Sequence, residues 1–268
     1  MSRFLTGILV VLMTLIGQVF PSQGAEMKRL LVVSTTTEFR HSAISTLEKT
    51  IAALGEKSGA FNVDFLQQPA DGTSMETALQ KLSPESLKNY DGVVFASTTG
   101  NLPIPDKAGF LDWIRAGHAF IGIHSASDTF HGWPEYREML GGEFKVHHEQ
   151  VSVTCRVVDK NHPATKDLGA EWKIEQEEIY LFQNYDPKNV HELLVLDRHP
   201  NDGNPGNYPI AWTREYGQGK VFYTALGHRE DIVDSDPNLK DRKNPVEISQ
   251  AYQKHLLGGI LAALGVVK

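Results

Sequence analysis

The sequence has little cysteine, no excess of positive charge and no linker-like stretch. Its one cysteine, Cys155, excludes an intramolecular disulfide framework and a multi-cysteine zinc site. Acidic residues number 33 against 26 basic, a formal net charge of -7. Nucleic acid is therefore not an expected partner, because phosphate binding needs clustered lysine and arginine. No Pro/Ser/Gly-rich linker or repeat divides the chain, so a single domain is expected. No G-x-G-x-x-G or G-x-x-x-x-G-K-[ST] follows an apolar run, which argues against nucleotide binding. H-E-x-x-H is also missing, so a metal site has to be assembled from residues distant in the chain.

What the sequence does contain begins with a leader. Arg3 is the only charged residue among the first 25. An apolar run from Phe4 to Phe20 follows, then small residues at Ser22, Gly24 and Ala25. This order of positive start, apolar centre and small-residue cleavage site describes a secretory signal, with an uncleaved membrane anchor as the rival. The expectation is a signal peptide over 1–25 and one domain over 26–268. The mature protein is then periplasmic or secreted, with no stable membrane association after cleavage. A lone cysteine has no partner with which to mispair in an oxidising compartment.

Lys28 to Ser34 carries a continuous apolar run, Leu30-Leu31-Val32-Val33, of the kind buried on both faces of a parallel sheet. Ile44, Leu47, Ile51 and Leu54 then recur at helical spacing, with Ser42 as the expected cap and Gly55 and Gly59 as the expected end. Further strands are expected at Phe61–Leu66, Val93–Ala96 and Ala119–Ile123, with a helix carrying Phe110, Trp113 and Ile114 before Gly117. Alternating strands and helices imply right-handed crossovers and a parallel sheet covered by helices. The second half is richer in strands (Val151–Val158, Leu193–Leu196, Pro209–Thr213, Val221–Ala225), which extend the sheet in antiparallel fashion. Tyr252, Leu256, Ile260 and Leu264 mark a final helix, and 201–207 is an exposed loop of turn formers.

Open parallel sheets bind ligands at the carboxyl ends of their strands. Those ends carry Phe39-Arg40-His41, then Ser97-Thr98-Thr99, then His124-Ser125-Ala126-Ser127-Asp128, followed by His131-Gly132-Trp133. Hydroxyls, imidazoles and an aromatic plate make a sugar-like lining rather than a phosphate cradle. Gly122-Ile123-His124-Ser125-Ala126 has the pattern of a nucleophile elbow, but the apex is histidine, which argues against serine-hydrolase chemistry.

The run from Gly122 to His147 resembles the signature of the ThuA-like (trehalose-utilisation) family. The agreement extends from Phe39-Arg40-His41 through His162-Pro163, Glu177-Glu178-Ile179-Tyr180 and Pro209-Ile210-Ala211-Trp212 to Tyr223–His228. It covers nearly all of the chain after the leader. The resemblance implies a flavodoxin-like fold similar to class I glutamine amidotransferases, without the working cysteine of that superfamily. It also implies a role in carbohydrate metabolism alongside dehydrogenases that make 3-keto sugars. Two positions depart from the family: His148 stands where proline is usual, and Glu177 stands where aspartate is usual.

The candidate catalytic residues are His41, His124, His147, Glu178 and His228. His147 is preferred over His148 on the resemblance, since neighbours in an extended segment face opposite ways. The candidate substrate-binding residues are Thr98, Ser125, Asp128, Trp133 and Tyr180, with Trp133 stacking on a sugar ring. Glu178 and Tyr180, two apart, are expected on one face as base and neighbour, and Glu177 on the other; the alternative for Glu175, Glu177 and Glu178 is a solvated edge. Two chemistries use this set. Histidines and a carboxylate hold a divalent metal such as zinc, or they act as acid and base alone. The expected partner is a small carbohydrate, processed by proton abstraction beside a carbonyl or by glycosidic cleavage, and not by an amidotransferase. A non-catalytic carbohydrate-binding protein is the alternative.

Overall fold

The computed structural model describes residues 26–267, so the leader expected over 1–25 lies outside the described residues. Eleven strands follow in chain order: β1 (Lys28–Val33), β2 (Phe61–Leu66), β3 (Gly92–Ala96), β4 (Ala119–Ile123), β5 (Glu143–His147), β6 (Val151–Val157), β7 (Glu171–Glu177), β8 (Tyr180–Gln183), β9 (His191–Arg198), β10 (Pro205–Tyr216) and β11 (Gly219–Thr224). Nine of them form one sheet in the order β2-β1-β3-β4-β11-β10-β9-β6-β7, and β5 pairs with β8 in a separate ribbon.

The first five positions of that sheet are parallel. Their order is that of flavodoxin-like doubly wound sheets, with β11 in the fifth place. From β10 outwards every pairing is antiparallel. The expected α/β fold, parallel first and antiparallel later, is therefore the observed one.

Two apolar cores explain the continuous runs in the parallel strands. Leu30, Val32, Val94, Ile121 and Ile123 pack on one face beneath the helices Ile44–Ser58 and Val246–Ala263. Leu31, Val33, Val93, Phe95 and Phe120 pack on the other, beneath Lys107–Arg115 and Pro134–Leu140. Since strand side chains alternate, a strand covered on both faces is apolar at every position. β6 instead alternates buried and exposed residues, as an antiparallel strand with one wet face does.

Local details differ from the sequence pattern. The first long helix begins at Ile44 after Ala43, with no side-chain cap from Ser42. Gly55 does not end it but lies inside it, where an added Cβ would clash with the Phe61 carbonyl oxygen. The helix ends at Gly59, whose φ of 63° suits a residue without a side chain. The 201–207 loop is exposed as expected, although β10 already begins at Pro205. Among the described residues, no helix is long and apolar enough to cross a membrane.

Candidate active site

Three strand ends of the parallel half deliver the site. His41 follows β1, His124 follows β4 and His228 follows β11. Glu178 joins them from the turn between β7 and β8. One donor atom from each of His41, His124, Glu178 and His228 lies within 4.8 Å of the others. Four of the five expected catalytic residues thus meet directly. The fifth, His147, joins from β5, its Nδ1 3.1 Å from Glu178 Oε2.

His124 sits at the apex with φ of 49°, a left-handed conformation that is uncommon outside glycine. A 3-10 turn over His124–Asp128 follows rather than an α-helix. The Tyr223 hydroxyl donates to the His124 carbonyl at 2.7 Å and holds this backbone in place. On the ring, Nδ1 lies 2.8 Å from the Ala225 carbonyl. A carbonyl only accepts, so Nδ1 carries the proton and Nε2 turns a bare lone pair toward the cluster.

The electrostatics keep two of the imidazoles neutral. Burial, then the neighbouring His228, lowers His41 to about 4. Burial and the adjoining histidines hold His124 well below the ordinary histidine value. For His228 burial also disfavours charge, but the Glu178 carboxylate beside it prevails and raises its pKa.

Three of the four donors approach the spacing of ligands around a small cation. His228 Nδ1 is 3.3 Å from His124 Nε2 and 3.3 Å from Glu178 Oε1, and His124 Nε2 is 3.7 Å from Glu178 Oε1. With metal–ligand bonds of about 2.0–2.2 Å, tetrahedral ligands stand roughly 3.3–3.6 Å apart. Three imidazoles, two of them kept neutral, one carboxylate and a second contact orienting the His124 ring are residue types that zinc takes.

The expected substrate-binding residues divide. Tyr180 packs on His124, ring centroids 4.3 Å apart, and the Ser125 hydroxyl is 3.3 Å from His41 Nδ1. Asp128 is engaged by His131 Nε2 at 2.6 Å, and His131 Nδ1 meets Glu143 at 2.8 Å. Two expectations are corrected. Trp133 is 8% exposed and packs in the core against Phe130 and Tyr136, so it does not line the cluster. Thr98 is fully buried and its hydroxyl is satisfied by Thr129 at 2.8 Å.

A third correction concerns Glu177, expected on the face opposite Glu178, with a solvated edge as the alternative for both. It is fully buried. Its Oε1 accepts the backbone N–H groups of Gly227 and His228, both at 2.8 Å, and Oε2 that of Arg229 at 3.3 Å. Burial raises its pKa to about 7, against the pull of His228 and these N–H donors. Asn244 was also missed. Its Oδ1 accepts from Glu175 N and Gln176 N, and its Nδ2 donates to Gln176 O and Asp231 Oδ1. No sequence motif marks it; an asparagine before a proline reads as a turn former. Cys155 is buried in β6, where burial pushes its thiol up to about 12, so it is no nucleophile.

The family described as ThuA, trehalose utilisation, matches residues 29–241. Among solved structures, a ThuA-like protein from Parabacteroides merdae ATCC 43184 is similar with a TM-score of 0.67 and 20% identity, over 90% of this chain and 91% of that one. Another, from Bacteroides uniformis ATCC 8492, has a TM-score of 0.61 and 21% identity, over 90% of this chain and 94% of that one. At such identities the likeness establishes a shared fold. No curated protein matches the sequence.

Proposed function

The chain belongs to the ThuA family, whose described role is trehalose utilisation, and from that premise we propose that it is an enzyme acting on a sugar or 3-keto-glycoside at the His41–His124–Glu178–His228 centre, with a divalent metal such as zinc held there. The observation that carries this reading is the convergence of four donor atoms within 4.8 Å, from residues spread between positions 41 and 228.

A zinc ion in that set supplies Lewis acidity toward a sugar carbonyl or hydroxyl oxygen. The protein's own residues do the rest. Glu178 presents Oε1 to His124 and His228 and Oε2 to His147. Nδ1 of His147 faces both that carboxylate and the His148 carbonyl, each at 3.1 Å. Both partners accept, so Nδ1 holds a proton, and in the neutral ring Nε2 is the basic nitrogen. The His147 side chain is 45% exposed, so its ring is accessible to a substrate. A C–H beside a sugar carbonyl is acidic enough for such a base to remove, starting elimination or isomerisation. Tyr180 and Ser125 orient the rings of His124 and His41.

The leader pattern of residues 1–25 adds that this chemistry takes place after export. Intact mass of the native protein is then expected to place the N-terminus near Ala25 or Glu26, and a full-length membrane-bound form contradicts export.

The deciding experiment is metal analysis of the purified protein together with turnover of trehalose and its 3-keto derivative before and after chelation. About one metal per chain, activity lost on chelation and restored by zinc is the expected result. Full turnover by metal-free protein removes the metal from the reading, and saturable sugar binding without turnover makes the protein a binding module.

A further inference from the structure

We propose that Phe39 is the platform on which a hexopyranose ring stacks as it enters this centre, a role that rests on the carbohydrate reading above and adds to it the residue that selects for a sugar ring.

Phe39 is 66% exposed, more than any other large hydrophobic residue among those described. Isolated apolar residues on a surface are ordinary; the informative feature is where this one stands. Its ring centroid lies 4.8 Å from that of His41, with the planes 80° apart. It is therefore an aromatic wall attached to one of the four converging side chains. The wall is also held in position. The Thr99 hydroxyl donates to the Phe39 carbonyl at 2.7 Å, Thr37 N donates to Thr99 O at 3.1 Å, and the Arg40 guanidinium donates to Ser34 O at 2.7 Å. The backbone at Thr37 and Phe39 is thus tied to the end of β3, and the Arg40 side chain to the end of β1, so the exposed ring is presented by an anchored segment.

Beside His228 the surface is polar apart from Leu239. A cavity of about 260 Å³ opens beside His228, bounded by Ser42, Gln150, Arg229 and Lys240. An apolar plate at His41 and hydrogen-bonding groups at His228, two rings whose centroids are 5.2 Å apart, offer the two kinds of contact a pyranose takes, one for its C–H face and one for its hydroxyl rim. A phosphate or a peptide carboxylate has no use for the plate. With Trp133 buried in the core, Phe39 is the exposed aromatic ring that touches a member of the cluster.

The test compares wild type, Phe39→Ala, Phe39→Leu and Phe39→Trp by calorimetric titration with trehalose and its 3-keto derivative, alongside zinc content and steady-state kinetics. Phe39→Ala is expected to weaken sugar affinity about 2- to 10-fold, the range for a single aromatic contact. The loss falls in KM rather than kcat, with zinc content unchanged. Phe39→Leu keeps apolar bulk without a ring face and is expected to remain weak, while Phe39→Trp restores or improves binding. Equal affinity of wild type and Phe39→Ala overturns the stacking role and leaves the catalytic reading standing. A wild-type protein that neither binds nor turns over either sugar overturns the carbohydrate reading, and the stacking role with it.

Discussion

Glu177 and His228 are joined through the backbone: the buried Glu177 carboxylate accepts the His228 N–H at 2.8 Å. The next residue, Glu178, meets the ring of the same histidine at 3.3 Å. Two consecutive glutamates therefore hold one histidine, the first by its main chain and the second by its imidazole. Glu177→Gln keeps one acceptor oxygen but replaces the other with an amide donor, so at least one of the three backbone N–H groups at Gly227, His228 and Arg229 meets a donor instead of an acceptor. Leaving buried donors unpaired costs about 1–3 kcal/mol. The variant is expected to melt at a lower temperature and to lose activity because His228 is displaced. A Glu177→Gln protein with wild-type melting and turnover contradicts this anchoring role.

His124 offers the most direct test of the centre. Its ring is fully buried and bonded to Ala225 O at 2.8 Å, so His124→Ala both removes a donor and leaves a cavity. Activity is expected to fall by roughly 10²-fold or more. A drop in melting temperature accompanies it, since a buried acceptor loses its partner. Metal stoichiometry measured on the folded fraction separates the two effects. Normal zinc content with normal activity per folded molecule makes His124 purely structural.

Acid sensitivity is expected to pass through Asp231. Burial disfavours its charge, but the Arg229 guanidinium and the N–H groups of Asn244 and Lys243 hold its carboxyl well below the usual carboxylate range. A depressed folded-state pKa contributes stability that is complete above the unfolded value of about 3.9 and disappears as the pH falls through the folded value. Asp231→Asn is therefore expected to melt below wild type at neutral pH, with the gap closing on acidification below about pH 4. A gap independent of pH assigns the effect to packing instead.

Trp133 supplies a contrast with Phe39. As a core residue packed on Phe130 and Tyr136, its replacement by alanine is expected to cost about 3–5 kcal/mol of stability. Sugar affinity per folded molecule is expected to stay at the wild-type level, measured by titration below the melting transition. Selective loss of affinity with unchanged melting would return Trp133 to the site.

The parallel half of the sheet was legible because Leu30–Val33 of β1 and all of β3 and β4 are buried between two cores, which writes short apolar runs into the chain. The strand-end histidines His41, His124 and His228 were legible for a related reason: where a parallel strand ends, the fold places chemistry. His131 was visible beside them, but its pairing with Asp128 and Glu143 was not. Glu143 comes from the β5–β8 ribbon, whose short strands carry no strong periodic signal.

Alternation within an extended segment correctly separated Glu177 from Glu178, yet it assigned the wrong environment to Glu177. Period-two reasoning states that neighbours face apart; it does not state what lies on either side. Here the β11 turn at Gly227–Arg229 occupies the side that the sequence leaves to solvent. Trp133 failed in the same way, since Pro134 begins a helix that folds the indole onto Tyr136. The amino-acid sequence by itself determined the α/β class, the strand ends and the residue types available for chemistry, because these depend on local patterning. Only the tertiary structure decided which donors meet within 4.8 Å, which glutamate anchors and which faces the centre, and which aromatic ring stays exposed, because each depends on packing between segments far apart in the chain.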